Sequence, residues 1–237
     1  MLLEEKVAVI YGAAGQIGGA VARAFAREGA TVFLAGRTQS TLKEVAEDIS
    51  SDGGDAETAV VDAVVEEAGR LDVSFNVISY RDVQKPLTEI SVEDFLQPIM
   101  TATRTQFLTT RAAAEHMVER GSGVILHFGG DGPQTLPGLG GFKVALDAVE
   151  GLRRQWAVEL GEHGVRVVTL KTGGVVEIIP DTAPGRDEIV ASIEEETLLG
   201  RAATLADVGN VAAFVASDWA RTMTATEVNI SCGTLMD

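Results

Sequence analysis

The chain has 237 residues, 46% of them hydrophobic and 5% aromatic, with a formal net charge of −16. That length and composition fit one α/β-sized domain with a large aliphatic core, and they argue against disorder. The negative balance argues against nucleic acid or an anionic membrane as partner. The single cysteine, Cys232, excludes an internal disulfide, and no Cys/His cluster has metal spacing. No apolar run reaches membrane-spanning length, and no signal-peptide pattern precedes the first strand, so a cytoplasmic protein is expected.

Val7 to Tyr11 reads as a strand buried on both faces, as in a parallel sheet. Gly12, Gly15 and Gly18 follow, and Ile17, Val21 and Phe25 then recur on one helical face. A strand–glycine loop–helix unit with this spacing is what dinucleotide binding requires. The first glycine makes the tight turn, the second lets backbone approach a pyrophosphate, and the third lets helix and strand pack closely. The helix start, at Gln16 and Ile17, offers unpaired N–H groups to phosphate. A second strand, Thr31 to Leu34, leads to Ala35-Gly36-Arg37. An acidic residue there would bind the ribose 2′-OH of NAD, whereas Arg37 suits a 2′-phosphate, so NADP(H) is expected over NAD(H). The alternative is a solvated arginine.

Leu42, Val45, Ala46 and Ile49 mark a second helix ended by Gly53-Gly54. Thr58 to Val61 reads as the third strand, with Asp62 at its end, where related folds flank the adenine. Val64 to Ala68 then supplies hardly two helical turns before the strand Val73 to Ile78. A parallel crossover normally takes a dozen residues or more, so a break or stunted connection is expected near 62–66. Ser91-Val92-Glu93-Asp94 looks like a capping box, and Pro98 should end or kink the helix it opens. A long helix follows to Gly121, then a strand from Val124 to Phe128. A helix from Gly138 carries Phe142, Leu146, Val149, Leu152 and Trp156. Val165 to Leu170 is the sixth strand. The long stretch 171–200 contains an acidic helix, Asp187 to Glu196. Thr204 to Asp207 caps the helix reaching Ser217, and Val228 to Ile230 is the last strand. The alternation of strand and helix predicts a doubly wound α/β fold with about seven parallel strands and helices on both faces.

The whole chain resembles the short-chain dehydrogenase/reductase family. The resemblance rests on the glycine loop together with Gly69-Arg70-Leu71-Asp72-Val73, Trp156-Ala157-Val158-Glu159-Leu160, Gly164-Val165-Arg166-Val167, Gly200-Arg201 and Val228-Asn229-Ile230-Ser231-Cys232-Gly233. It implies a single Rossmann-like domain over 1–237, with a nicotinamide above the C-terminal strand ends and Gly173 retained from the family's Pro-Gly. It also implies a substrate lid around 176–199 and a homo-oligomer, often a tetramer built through the two long helices.

The same resemblance exposes departures. The family's glycine loop usually opens with threonine, where Tyr11 stands, and has its second glycine one position later. The family tetrad is a tyrosine that hands a proton to the substrate oxygen, a lysine one helical turn later, a serine and an asparagine. Phe142 stands at the tyrosine, Leu146 at the lysine, and Gly129 and Gly130 at the serine. The long helix carries no asparagine. The tyrosine mechanism is therefore not expected here.

Replacement acids are sought near the same edge: Asp131, His127, Tyr80, Arg81 and Lys143. Asp131 is the best placed by sequence, though Gly-Asp-Gly-Pro also reads as a turn. His127, inside a buried strand, reads as a hydrogen-bonded core histidine ahead of a catalyst, and Tyr80 as a residue that reaches the cofactor or simply lines its site. The expected function is an atypical NADP(H)-dependent oxidoreductase acting on a partly apolar small molecule. The alternatives are a catalytically inactive NADP(H)-binding protein and a non-redox lyase on the same fold.

Overall fold

The computed structural model describes all residues except 59–60, 130–134, 184 and 236–237, and it leaves the side chains of 58 and 61–63 undescribed. Seven parallel strands form one sheet: β1 (Val7–Tyr11), β2 (Thr31–Ala35), β3 (Asp55–Thr58), β4 (Val73–Asn76), β5 (Gly123–Gly129), β6 (Val165–Lys171) and β7 (Thr226–Asn229). Their order across the sheet is β3-β2-β1-β4-β5-β6-β7. The chain starts in the middle, winds outward to β3, returns past β1 and winds outward again. That reversal between β1 and β4 is the switch point at which ligands bind such sheets.

Alternate residues of each strand feed two cores, as a period of two demands. Ala8, Ile10, Val32, Leu34, Phe75 and Leu126 face one layer with α1 (Gln16–Arg27), α2 (Gln39–Ser51) and α7 (Leu205–Ala216). Val7, Val9, Phe33, Ile125 and Val167 face the other, with α3 (Val61–Ala68), α4 (Val92–Arg120) and α5 (Phe142–Leu160). A further helix, α6 (Arg186–Glu195), lies in the stretch expected to form a lid.

Several expectations need correction. The third strand is Asp55–Thr58, earlier than Thr58 to Val61, and its register Thr31↔Asp55 to Leu34↔Thr58 leaves Asp62 as the second residue of α3 instead of the strand's end. Here pairing with β2 overrides the local apolar run. The connection expected to be stunted is of ordinary length: with β3 ending at Thr58, residues 59–72 join it to β4 and carry an eight-residue helix, α3. Pro98 does not end its helix: α4 runs through it for 29 residues. Proline forfeits one hydrogen bond, but its buried ring packs beside Gly141, where a Cβ would lie 3.1 Å from Pro98 Cγ. The helix expected from Gly138 begins at Phe142.

Candidate active site

The glycine loop is built by close approach. Gly12 has φ +82°, and a Cβ there would lie 2.8 Å from the Val77 carbonyl oxygen. A Cβ on Gly18 would lie 2.4 Å from the Gly12 carbonyl oxygen, so only glycine fits either place. Gly15 differs: it is exposed and forms the N-cap of α1, with no side-chain cap and no acidic residue in the first helical turn. The first N–H groups of α1, beginning at Gln16 and Ile17, therefore face outward without side-chain partners and present a positive dipole end. Ala35 O accepts from Gly12 N at 2.9 Å, which ties the end of β2 to the loop and brings Arg37 beside it. Arg37 is exposed and has no side-chain partner among the described residues. Gln16 Nε2 donates to the Glu177 carbonyl oxygen at 3.2 Å, and Glu177 Oε2 accepts from Leu205 N at the start of α7. The stretch after β6 is thereby clipped across the loop. Gly173 is required by packing, since a Cβ would lie 2.7 Å from Thr234 Cβ.

The second half of the site lies at the ends of β5 and α5. Phe142 opens α5 and packs against Tyr80, with ring centroids 6.3 Å apart and the planes tilted by 48°. Leu146, one turn on, packs onto Gly129, where a Cβ would meet Leu146 Cδ2 at 3.1 Å. Phe142 and Leu146 join a small apolar cluster with Tyr80, Ala102, Ala145 and Val149. Neither Phe142 nor Leu146 has a proton to give or a charge, and Tyr80 is the one member of the described cluster with a hydroxyl. Gly130 and Asp131 lie outside the described residues. Asp62 is described only as backbone within α3.

Of the other candidates, Tyr80 is buried and donates to the Phe128 carbonyl oxygen at 3.3 Å. Burial pushes its hydroxyl above the ordinary tyrosine pKa, so it holds its proton more tightly than a free phenol. His127 is fully buried on β5, with Nε2 3.2 Å from Thr110 Oγ1. Desolvation lowers its pKa to about 3, which keeps it neutral, as a core histidine is. Lys143 pairs with Asp147 along the helix. Arg81 is exposed in the loop after β4.

Sequence reasoning missed the charge buried one turn below Leu146. Glu150 accepts from Thr169 Oγ1 and from Arg153 Nε, the latter at 2.7 Å. Glu227 on β7 lies 3.1 Å from Lys171 Nζ and 3.8 Å from Arg153. Glu150, Arg153 and Lys171 are all nearly inaccessible to solvent. The signal was present in part: Glu150 stands at helical spacing from Phe142, Leu146 and Val149. Its partners on β6 and β7 carry no such local mark.

Comparison with known proteins agrees with this architecture. A family model described as enoyl-(acyl carrier protein) reductase matches residues 12–234. An uncharacterized oxidoreductase of Methylorubrum extorquens is 32% identical over 249 residues, covering 98% of each chain. Among solved structures, an NAD+-bound xylitol dehydrogenase superimposes with a TM-score of 0.88 at 20% identity, covering 98% of this chain and all of that one. A 7α-hydroxysteroid dehydrogenase complexed with NADH and 7-oxo glycochenodeoxycholic acid gives 0.87 at 23% identity, covering 99% of this chain and 96% of that one. The chain belongs to the short-chain dehydrogenase/reductase family of oxidoreductases.

Proposed function

We propose that this protein binds NADP(H) and passes hydride to a partly apolar small molecule without a tyrosine acid at position 142. The reading is carried by one juxtaposition. A closed glycine cradle with an uncapped helix start stands beside an apolar Phe142–Leu146–Gly129 contact. Gly12, Gly15, Gln16, Ile17 and Gly18 would hold the pyrophosphate, Arg37 the 2′-phosphate and Gly173 the nicotinamide side, with Asp62 near the adenine. When bound, the nicotinamide supplies the hydride. The chain's own part is to orient the two reactants and to exclude water from the Phe142 face. An enolate or alkoxide left by the hydride must still take up one proton, whereas an iminium needs none. A substrate that accepts hydride at carbon, such as an activated alkene or an iminium, or a carbonyl protonated by water or by Asp131, does not need a phenol at position 142.

Two features support the substrate and assembly readings. Ile178, Ile189, Leu198 and Leu199 are exposed apolar residues of the 176–199 lid, and they favour a partly apolar substrate. Met100, Phe107, Leu108 and Val158 leave apolar surface on α4 and α5, as a homo-oligomer through these helices would require. A second reading, a catalytically inactive NADP(H)-binding protein, is favoured by Phe142 and Leu146, which offer neither a proton nor a charge, and by Tyr80, whose buried hydroxyl is engaged with the Phe128 carbonyl.

Fluorescence titration with NADPH and then NADH tests the cofactor. Micromolar NADPH binding that is tighter than NADH is expected, and binding of neither nucleotide removes the proposal in favour of a non-redox role. The paired variant Phe142→Tyr/Leu146→Lys separates the two cofactor-binding readings. If wild type oxidises NADPH with enones but not simple ketones, and the variant gains ketone reduction, the oxidoreductase reading stands. A wild type that binds NADPH and transfers hydride to no acceptor is the inactive protein.

A further inference from the structure

A cleft of about 280 Å³ opens at the N-terminal edge of the sheet, the end opposite the glycine loop. Four cations line it, Lys6, Arg120, Arg166 and Arg221, against two carboxylates, Asp72 and Asp218. In a chain of net charge −16, composition does not impose this local excess of positive charge.

The carboxylates are already engaged. Asp72 is buried, accepts from Val7 N at 2.9 Å, and lies 2.7 Å from Arg70 and 2.6 Å from Arg120. Asp218 pairs with Lys6 at 3.2 Å. Helix carbonyl ends draw cations to this edge, and Arg166 meets that role by donating to the carbonyl oxygens of Val215, Ser217 and Met223 at 2.8, 3.2 and 3.1 Å. Among the described residues no carboxylate comes within ion-pair distance of it, and burial lowers its pKa because its charge is desolvated, with the Asp218 charge opposing that shift. Arg221, exposed at the rim, has no side-chain partner among the described residues. Arg166 therefore backs the cleft with its charge, three of its N–H donors being spent on those carbonyls, and Arg221 at the mouth offers the unengaged guanidinium fork. Guanidinium groups bind oxyanions through paired N–H donors, and a concave wall concentrates their field.

We propose that this cleft binds a small polyvalent oxyanion, a phosphoryl or polycarboxylate compound, between Arg221 and Arg166, with Lys6 and Arg120 flanking it. The site is separate from the dinucleotide cradle and does not depend on that reading.

Calorimetric titration of the full chain with pyrophosphate and with citrate, at constant ionic strength, tests it. Each titration is run with and without saturating NADPH, so that a pyrophosphate bound at the glycine loop is told apart. One saturable event that persists with NADPH is expected. Arg221→Glu should weaken it about tenfold or more, and Asp218→Asn should tighten it. Binding of pyrophosphate alone would mark a phosphoryl ligand, and binding of both would mark any polyanion. The proposal is overturned if neither anion exceeds the effect of sodium chloride, or if Arg221→Glu, shown by circular dichroism to be folded, binds as wild type does. Loss of NADPH binding with the cleft event intact would sink the cofactor reading and leave this one standing.

Discussion

Asp72 shows how much one side chain can hold. It sits just before β4, yet it ties the start of β1 through Val7 N and the end of α4 through Arg120. Its buried carboxylate has a pKa below the ordinary value because hydrogen bonds from Arg70, Arg120 and Val7 together outweigh desolvation. A lowered carboxylate pKa stabilises the fold above the unfolded value of about 3.9 and loses that contribution as pH falls through the folded value. Asp72→Asn should cost about 1–3 kcal/mol at pH 7 by urea unfolding, and the difference from wild type should shrink below about pH 4. His127 acts at higher pH. With a folded pKa of about 3, it stays neutral while the unfolded chain takes up a proton below about 6.5. The unfolded state then binds more protons, so stability rises with pH between those values. Unfolding followed from pH 4 to 7 should show this rise, and His127→Gln should flatten it.

The glycine loop makes its own predictions as an element. Gly18 and Gly15 look alike in the sequence but do different things. A Cβ at Gly18 would strike backbone at 2.4 Å, whereas one at Gly15 would lie 3.3 Å from the same oxygen on an exposed turn. Gly18→Ala should lower stability by about 1–3 kcal/mol and abolish NADPH binding together. Gly15→Ala, at an N-cap, should cost less than about 1 kcal/mol yet still weaken NADPH, because the methyl group sits where backbone must meet phosphate. Thermal melts and titrations of the two variants check this, and an equal loss of stability in both would contradict it. Helix α4 teaches a different lesson. Its start was legible, since Ser91 Oγ accepts from Asp94 N at 3.1 Å as the capping pattern predicts. Its continuity through Pro98 was not, because the compensation comes from Gly141 far along the chain.

For the whole molecule, the cofactor reading predicts a ligand-dependent melting temperature. NADPH at a hundred times its dissociation constant should add about 2.7 kcal/mol, which for a chain of this length is roughly 5–10 °C. A differential scanning melt with NADPH, NADH and buffer alone checks this, and NADPH should raise the transition most. The alternation of apolar runs and amphipathic segments was enough to derive a doubly wound parallel sheet, because strand and helix periods are local properties. Glycine spacing and the residues at 142 and 146 were equally legible, since a turn and a helical face are each set within a few residues. Strand registry was not local: β3 took Asp55–Thr58 because β2 offered partners there. Nor was the burial of Tyr80, or the meeting of Glu150 and Arg153 with Lys171 and Glu227, whereas His127 was legible as a core histidine from its place inside a buried strand. The cationic cleft likewise draws on the ends of several separate strands and helices. A charge's partners, and the dielectric around it, depend on which distant strands lie side by side. Sheet order and packing decide that, and neither leaves a periodic trace along the chain.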